Sequence, residues 1–147
     1  VNLSAKVLKF SIFDGSNFSG ANLQNTDLTL SRFNYANFSN SDLTSADLSS
    51  SNLCRAILIK SNSSNANFTN ADLQDANLQE ANLTNASFHN ANLYCANLSD
   101  AIIRNADFSN ANLSVADMTN LDFTLASNTD GMKYEPDQVL RPNVKFR

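Results

Sequence analysis

Every fifth residue from Leu3 to Phe123 is Leu, Phe, Ile or Met, over 25 consecutive positions with the single exception of Ser63. No insertion breaks the count. An α-helix turns a five-residue step through about 140°, which scatters such residues around the cylinder instead of gathering them into a stripe. A flat strand alternates its side chains, so an odd step sends every second apolar residue to the opposite face. The period survives only where the backbone bends once per repeat and turns the same face inward each time. That is a coil of short sides, a solenoid.

The remaining positions agree. Two residues before each large apolar position stands a small one, and Ala holds it without interruption from Ala66 through Ala116, eleven repeats running. Residues i and i−2 share a side of an extended segment, so each repeat sends one large and one small side chain inward. Between them lies Asn or Asp in 19 of 25 repeats, Asn22, Asp27, Asn37 and Asp42 among them. The last two positions are mostly Ser, Thr, Asn and Gln and face water. The phrase is Ala-(Asn/Asp)-Leu-x-x, as in Ala66-Asn67-Phe68-Thr69-Asn70 and Ala76-Asn77-Leu78-Gln79-Glu80.

This motif resembles that of the pentapeptide-repeat proteins, over roughly residues 1–126. The resemblance implies an all-β, right-handed quadrilateral β-helix with four pentapeptides per coil. Residues 20 apart then stack at about 4.8 Å, and about six coils make a rod roughly 29 Å long. One interior column reads Leu8, Leu28, Leu48, Phe68, Phe88, Phe108; a second reads Phe13, Phe33, Leu53, Leu73, Leu93, Leu113; a third reads Phe18, Phe38, Leu58, Leu78, Leu98, Met118. Like shapes gather along each column, which core packing accounts for without an aromatic ligand box. The fourth column, Leu3, Leu23, Leu43, Ser63, Leu83, Ile103, Phe123, carries the exception, and the small partner Ser61 is polar too. Ser63 predicts a small void and a locally imperfect coil costing about 1–3 kcal/mol, or else a hinge or binding notch.

On the exterior, Arg55 stands one coil below Asp75 and Lys60 one coil below Glu80, so each pair is placed to bridge coils. Exposed pairs of this kind contribute about 0–1 kcal/mol and need no ligand to explain them. Ile57, Ile59 and Ile102 break the polar rule, and Ile57 and Ile59 share one side with Lys60, a candidate contact patch.

At 147 residues the chain is one domain, with no stretch long or apolar enough for membrane insertion. Val1 already stands in register, with neither an initiator Met nor a signal peptide before it, which points to a processed chain or one cut from something longer. Lys6, at an inward position, predicts an irregular first coil. With only three Gly and two Pro, the corners are expected to be ordinary turns built with Asn and Asp. The repeat phrase ends near Ala126, and residues 127–147 form a C-terminal tail containing Gly131, both prolines and Tyr134. Glu135–Arg141 predicts a helical turn or two with Pro136 at its first position. The tail is expected to cap the open edge of the last coil, and by family resemblance it is also the candidate dimerisation element, with Tyr134, Val139 and Leu140 available for contact. Cys54 and Cys95 fall two coils apart, about 9–10 Å, beyond the roughly 7 Å that a disulfide spans. Free thiols favour a reducing, cytoplasmic compartment over the periplasm or the thylakoid lumen; the family is abundant in cyanobacteria and occurs in plastids.

Catalytic chemistry finds no foothold. His89 is the only histidine, faces outward and has no cysteine or carboxylate cluster beside it, so no metal site of normal ligand number is expected. A nucleophilic triad needs a recess and an oxyanion hole, whereas an uninterrupted coil offers a flat wall. No phosphate loop or dinucleotide fingerprint is present, and no cofactor is expected. The reading is a non-enzymatic structural or protein-interaction scaffold of unknown partner, with no direct nucleic-acid binding. Candidate contact residues are Ile57, Ile59, Lys60, Tyr134, Val139 and Leu140. The resemblance implies an alternative, because some pentapeptide-repeat proteins mimic DNA, bind DNA gyrase or topoisomerase IV and give fluoroquinolone resistance. Charge argues against it here. B-DNA carries one charge per about 1.7 Å, about 17 over such a rod, while residues 1–126 hold eleven acidic and six basic residues, a net of −5.

Overall fold

The computed structural model describes residues 1–137 and 143–146. Each five-residue side contains one bridging residue, paired in parallel with the residue 20 positions on, from Asn2 with Asn22 through to Asn97 with Asp117. Four sides of five residues therefore close one coil. We number the sides from residues 1, 6, 11 and 16 of the first coil.

The backbone hydrogen bonds explain why the sides stay so short. In Ala96–Asp100 all five N–H groups are used. Ala96 donates to Leu93 O (3.0 Å), Asn97 to Ala76 O below (2.9 Å), and Leu98 and Asp100 to Asp117 O and Thr119 O above (2.8 and 3.0 Å). The fifth, that of Ser99, points to the Asn97 side chain, whose Oδ1 accepts it at 2.9 Å. Asn or Asp before the large apolar residue is thus a backbone acceptor, repeated at Asn22, Asp27, Asn37, Asp42 and Asp47 among others. Donors left without partners are costly, which accounts for Asn or Asp at 19 of the 25 positions. Arg32 has no oxygen to offer; there Asp14, one coil below, accepts the Asn34 N–H at 2.9 Å.

The corners follow one rule. The last residue of each side has a positive φ, 55° at Asn25, 58° at Asn65 and 61° at Asp100, with Gly15 and Gly20 at 68° and 66°. With the next N–H bonded back to the large apolar residue, as Ala101 to Leu98 O at 3.0 Å, this is a turn of the type II class. Asn, which tolerates the left-handed region better than most residues, stands at many of these corners. Tyr35, Arg55, Lys60 and Val115 among others hold the same positive φ, so the coil imposes it on ordinary residues too. Asn side chains also ladder up the corners: Asn85 donates to Asn65 (3.0 Å), Asn105 to Asn85 (3.2 Å) and Asn90 to Asn70 (3.2 Å).

Inside, the large residues stack as the columns predict. Phe13 lies on Phe33, Phe18 on Phe38, Phe68 on Phe88 and Phe88 on Phe108, with ring centroids 4.9–5.3 Å apart. Leu23, Leu43, Ser63 and Leu83 are all fully buried in the fourth column. Lys6, by contrast, is exposed. The ladder does not stop where the repeat phrase ends. A 3-10 turn at Phe123–Leu125 takes up extra chain, after which Asp107 pairs with Asn128 and Asn112 with Lys133, 21 residues on, and Asp122 pairs with Lys145, 23 on. Phe146 stacks on Phe123 (5.2 Å), and Tyr134 on Phe146 (4.6 Å), carrying the fourth column on past the last full coil. Most of the Glu135–Arg141 segment, for which a helical turn is expected, lies outside the described residues.

Candidate interaction surface

The candidate contact residues lie in two places, the fourth side and the C-terminal tail. Ile57 is 37% exposed and Ile59 half-buried on the fourth side. Asn37 and Asn77 flank Ile57 along the bridges, so the apolar patch is one coil deep. Lys60 Nζ meets Glu80 Oε2 at 3.4 Å. Tyr134 keeps 39% exposure but lies against Phe146, at the C-terminal end of the rod. Val139 and Leu140 lie outside the described residues.

A second set of contacts runs up the third side. Arg55 meets Asp75 at 3.4 Å, as its stacking predicts, and also donates through Nη1 to Tyr35 Oη at 2.8 Å while lying 5.6 Å from that ring. Arg32 pairs with Asp14. Cys54 donates its thiol to Asp72 Oδ2 at 3.2 Å, and burial together with that carboxylate pushes the thiol up to about 11. Both cysteines are free. His89 Nδ1 is 2.7 Å from Ser109 Oγ. Among the described residues, no group of three His, Cys, Asp or Glu side chains is placed to hold a metal ion.

The most unusual surface is at the corner ending the second side, which sequence reasoning passed over. That column reads Phe10, Leu30, Ser50, Asn70, Asn90, Asn110, Gly131, all at positive φ. Phe10 and Leu30 are 68% and 52% exposed, with exposed Val7 and Ile12 close by in sequence and Lys9 Nζ 5.8 Å from the Phe10 ring. The signal was available in the sequence, since both residues stand in a column that is otherwise Ser, Asn and Gly.

The family model described as pentapeptide repeats matches in eight copies, spanning residues 11–49, 46–85, 64–95, 71–110 and 91–127. The chain belongs to the pentapeptide-repeat family. Pentapeptide-repeat proteins fold as right-handed quadrilateral β-helices, and this one does so too. Among solved structures, the pentapeptide-repeat protein alr5209 of Nostoc PCC 7120 is 26% identical with a TM-score of 0.55, covering 79% of this chain and 84% of that one. A pentapeptide-repeat protein of the Arabidopsis thaliana thylakoid lumen is 28% identical with a TM-score of 0.46, over 71% and 69%. QnrB1, a plasmid-mediated fluoroquinolone resistance protein, is 20% identical with a TM-score of 0.38, over 94% and 79%. No curated protein sequence matches the chain. Among the described residues no helix is long and apolar enough to cross a membrane.

Proposed function

We propose that this pentapeptide-repeat protein is a non-enzymatic scaffold that docks a protein partner through apolar side chains set on its rigid wall. The observation that carries the reading is the Phe10–Leu30 corner. A bulky residue in the left-handed region costs on the order of 1 kcal/mol, and exposing it to water adds nothing to the fold. The same corner is made with Asn at 70, 90 and 110 and with Gly at 131, so the coil itself does not require Phe or Leu there. Ile57 and Ile59, with Lys60 beside them, form a smaller second contact, and the tail serves to close the last coil over Phe123.

Phe10→Asn and Leu30→Asn test this, because Asn suits the corner while removing the apolar contact. Crosslinking capture from the source cell is expected to lose a partner band in the double variant while the melting temperature holds or rises. Equal capture by wild type and variant rejects this corner, and Ile57→Lys then asks the same of the second patch. The topoisomerase-decoy reading ranks second. The coils' net charge of −5 over residues 1–126 falls well short of a B-DNA rod of that length, and the Arg–Asp and Lys–Glu pairs interrupt any continuous negative line on the third and fourth sides. A gyrase supercoiling titration, with and without a fluoroquinolone, decides it: inhibition or drug protection at low micromolar protein establishes the decoy.

A further inference from the structure

Three buried serines stand together in register at the one break in the large apolar columns. Ser63 is fully buried between Leu43 and Leu83, and Ser61 and Ser41, stacked one coil apart at the small inward position, are 1% and 2% exposed. Ser61 Oγ and Ser63 Oγ lie 3.1 Å apart. That contact uses one of the three hydroxyl protons. Ser41 Oγ has no hydrogen-bond partner in the protein, alone in this among the buried side-chain N and O atoms of the described residues.

Inward hydroxyls elsewhere in the coil do find carbonyls. Thr26 donates to Leu3 O (2.9 Å), Ser31 to Leu8 O (3.1 Å) and Ser51 to Leu48 O. An unsatisfied hydroxyl is therefore not a general consequence of placing Ser at the small inward position. The Ser63 side chain is also two heavy atoms smaller than the Leu that fills its column on either side. The volume lost there, between Leu43 and Leu83 and beside three buried serines, is enough for a single water: buried waters take two to four polar partners, whereas empty protein cavities are apolar.

We propose that the coil binds one internal water molecule between Ser41, Ser61 and Ser63, replacing the side-chain bulk missing at Ser63 and completing the hydrogen bonds of all three hydroxyls. The water acts as a structural ligand of the rod. It explains how a polar pair sits in the middle of an otherwise apolar column without opening the coil.

A high-resolution crystal structure of the chain is expected to show density for one water within hydrogen-bonding distance of all three Oγ atoms. Density showing an empty space, or Ser41 turned onto the Phe38 carbonyl as Ser51 is onto that of Leu48, overturns the proposal. Solution stability gives an independent sign. Ser41→Ala lowers the melting temperature by a few degrees if its hydroxyl holds a water, and raises it if the hydroxyl is merely stranded. The triple variant Ser41→Ala, Ser61→Ala, Ser63→Leu restores an all-apolar column. It is expected to fold and to lose one long-lived internal water by magnetic relaxation dispersion, and an unchanged count of such waters also rejects the site.

Discussion

Asn97 Oδ1 accepts the N–H of Ser99 at 2.9 Å, and Ser99 is itself buried at 8% exposure. The side chain stands in for a carbonyl that neither neighbouring coil supplies. Asn97→Leu leaves that N–H without an acceptor and is expected to destabilise the fold by about 1–3 kcal/mol. Asn97→Asp keeps the oxygen and stays within about 0.5 kcal/mol. Urea denaturation of the two variants checks this, and equal losses would mean that the oxygen is not what matters.

Gly131 holds φ +69°, and a Cβ there would come within 2.2 Å of Asn110 Oδ1. Gly131→Ala is expected to cost about 1 kcal/mol or more, since both the left-handed backbone and the Asn110 side chain oppose it. In an Asn110→Ala background the penalty should shrink to the backbone part alone. A thermal double-mutant cycle separates the two, and an identical penalty in both backgrounds would remove the clash from the account.

Asp27 titrates below the usual carboxylate range, first because the Thr29 hydroxyl donates to it at 2.8 Å and then because the Thr29 N–H does so at 3.1 Å. A carboxyl with a depressed folded pKa adds stability at pH values above its unfolded value near 4, and loses it as the pH falls through the folded value. Thr29→Val is therefore expected to move the Asp27 titration upward. The stability gap to wild type should be full above about pH 4 and narrow below it. Carboxyl-carbon NMR across pH 2–6 provides the measurement.

The Cys54 thiol, raised to about 11 by burial and then by its bond to Asp72, stays protonated near neutral pH and is expected to alkylate slowly in the folded protein. Asp72→Asn removes the carboxylate and should speed the reaction at pH 8. Mass-spectrometric alkylation rates for the Cys54 peptide decide it, with an unchanged rate pointing to burial alone.

Much of the fold can be read directly from the residues. The 20-residue stacking places Phe68, Phe88 and Phe108 in one column and sets Arg55 against Asp75 and Lys60 against Glu80, and each of these contacts is present. The candidate surface was less legible. Ile57 stood out because it breaks the Asn/Asp position, whereas Phe10 and Leu30 occupy a position that tolerates many residues, and only the positive φ there makes them costly. The far end of the fourth column was equally hidden. Tyr134 takes that place, and its contact with Phe146 joins two segments of a tail that has no repeat to align them.

The sequence alone determined the repeat, the inward columns and the break at Ser63, because a period of five repeated 25 times leaves one way to keep apolar side chains out of water. Only the tertiary structure decided which side-chain oxygen accepts which N–H, where the corners impose a left-handed backbone, and how the coil runs on past Ala126. The acceptors and corners bond only two or three residues along the chain, while the other N–H groups of each side reach coils 20 residues away, and the run past Ala126 rests on pairings 21 and 23 residues apart. The turn at Phe123–Leu125 that takes up the one-residue slip is closed locally, by Asp122 and Phe123, but the register it sets is fixed by Lys145 O accepting the Phe123 N–H and by Leu125 O accepting the Asn105 N–H across coils.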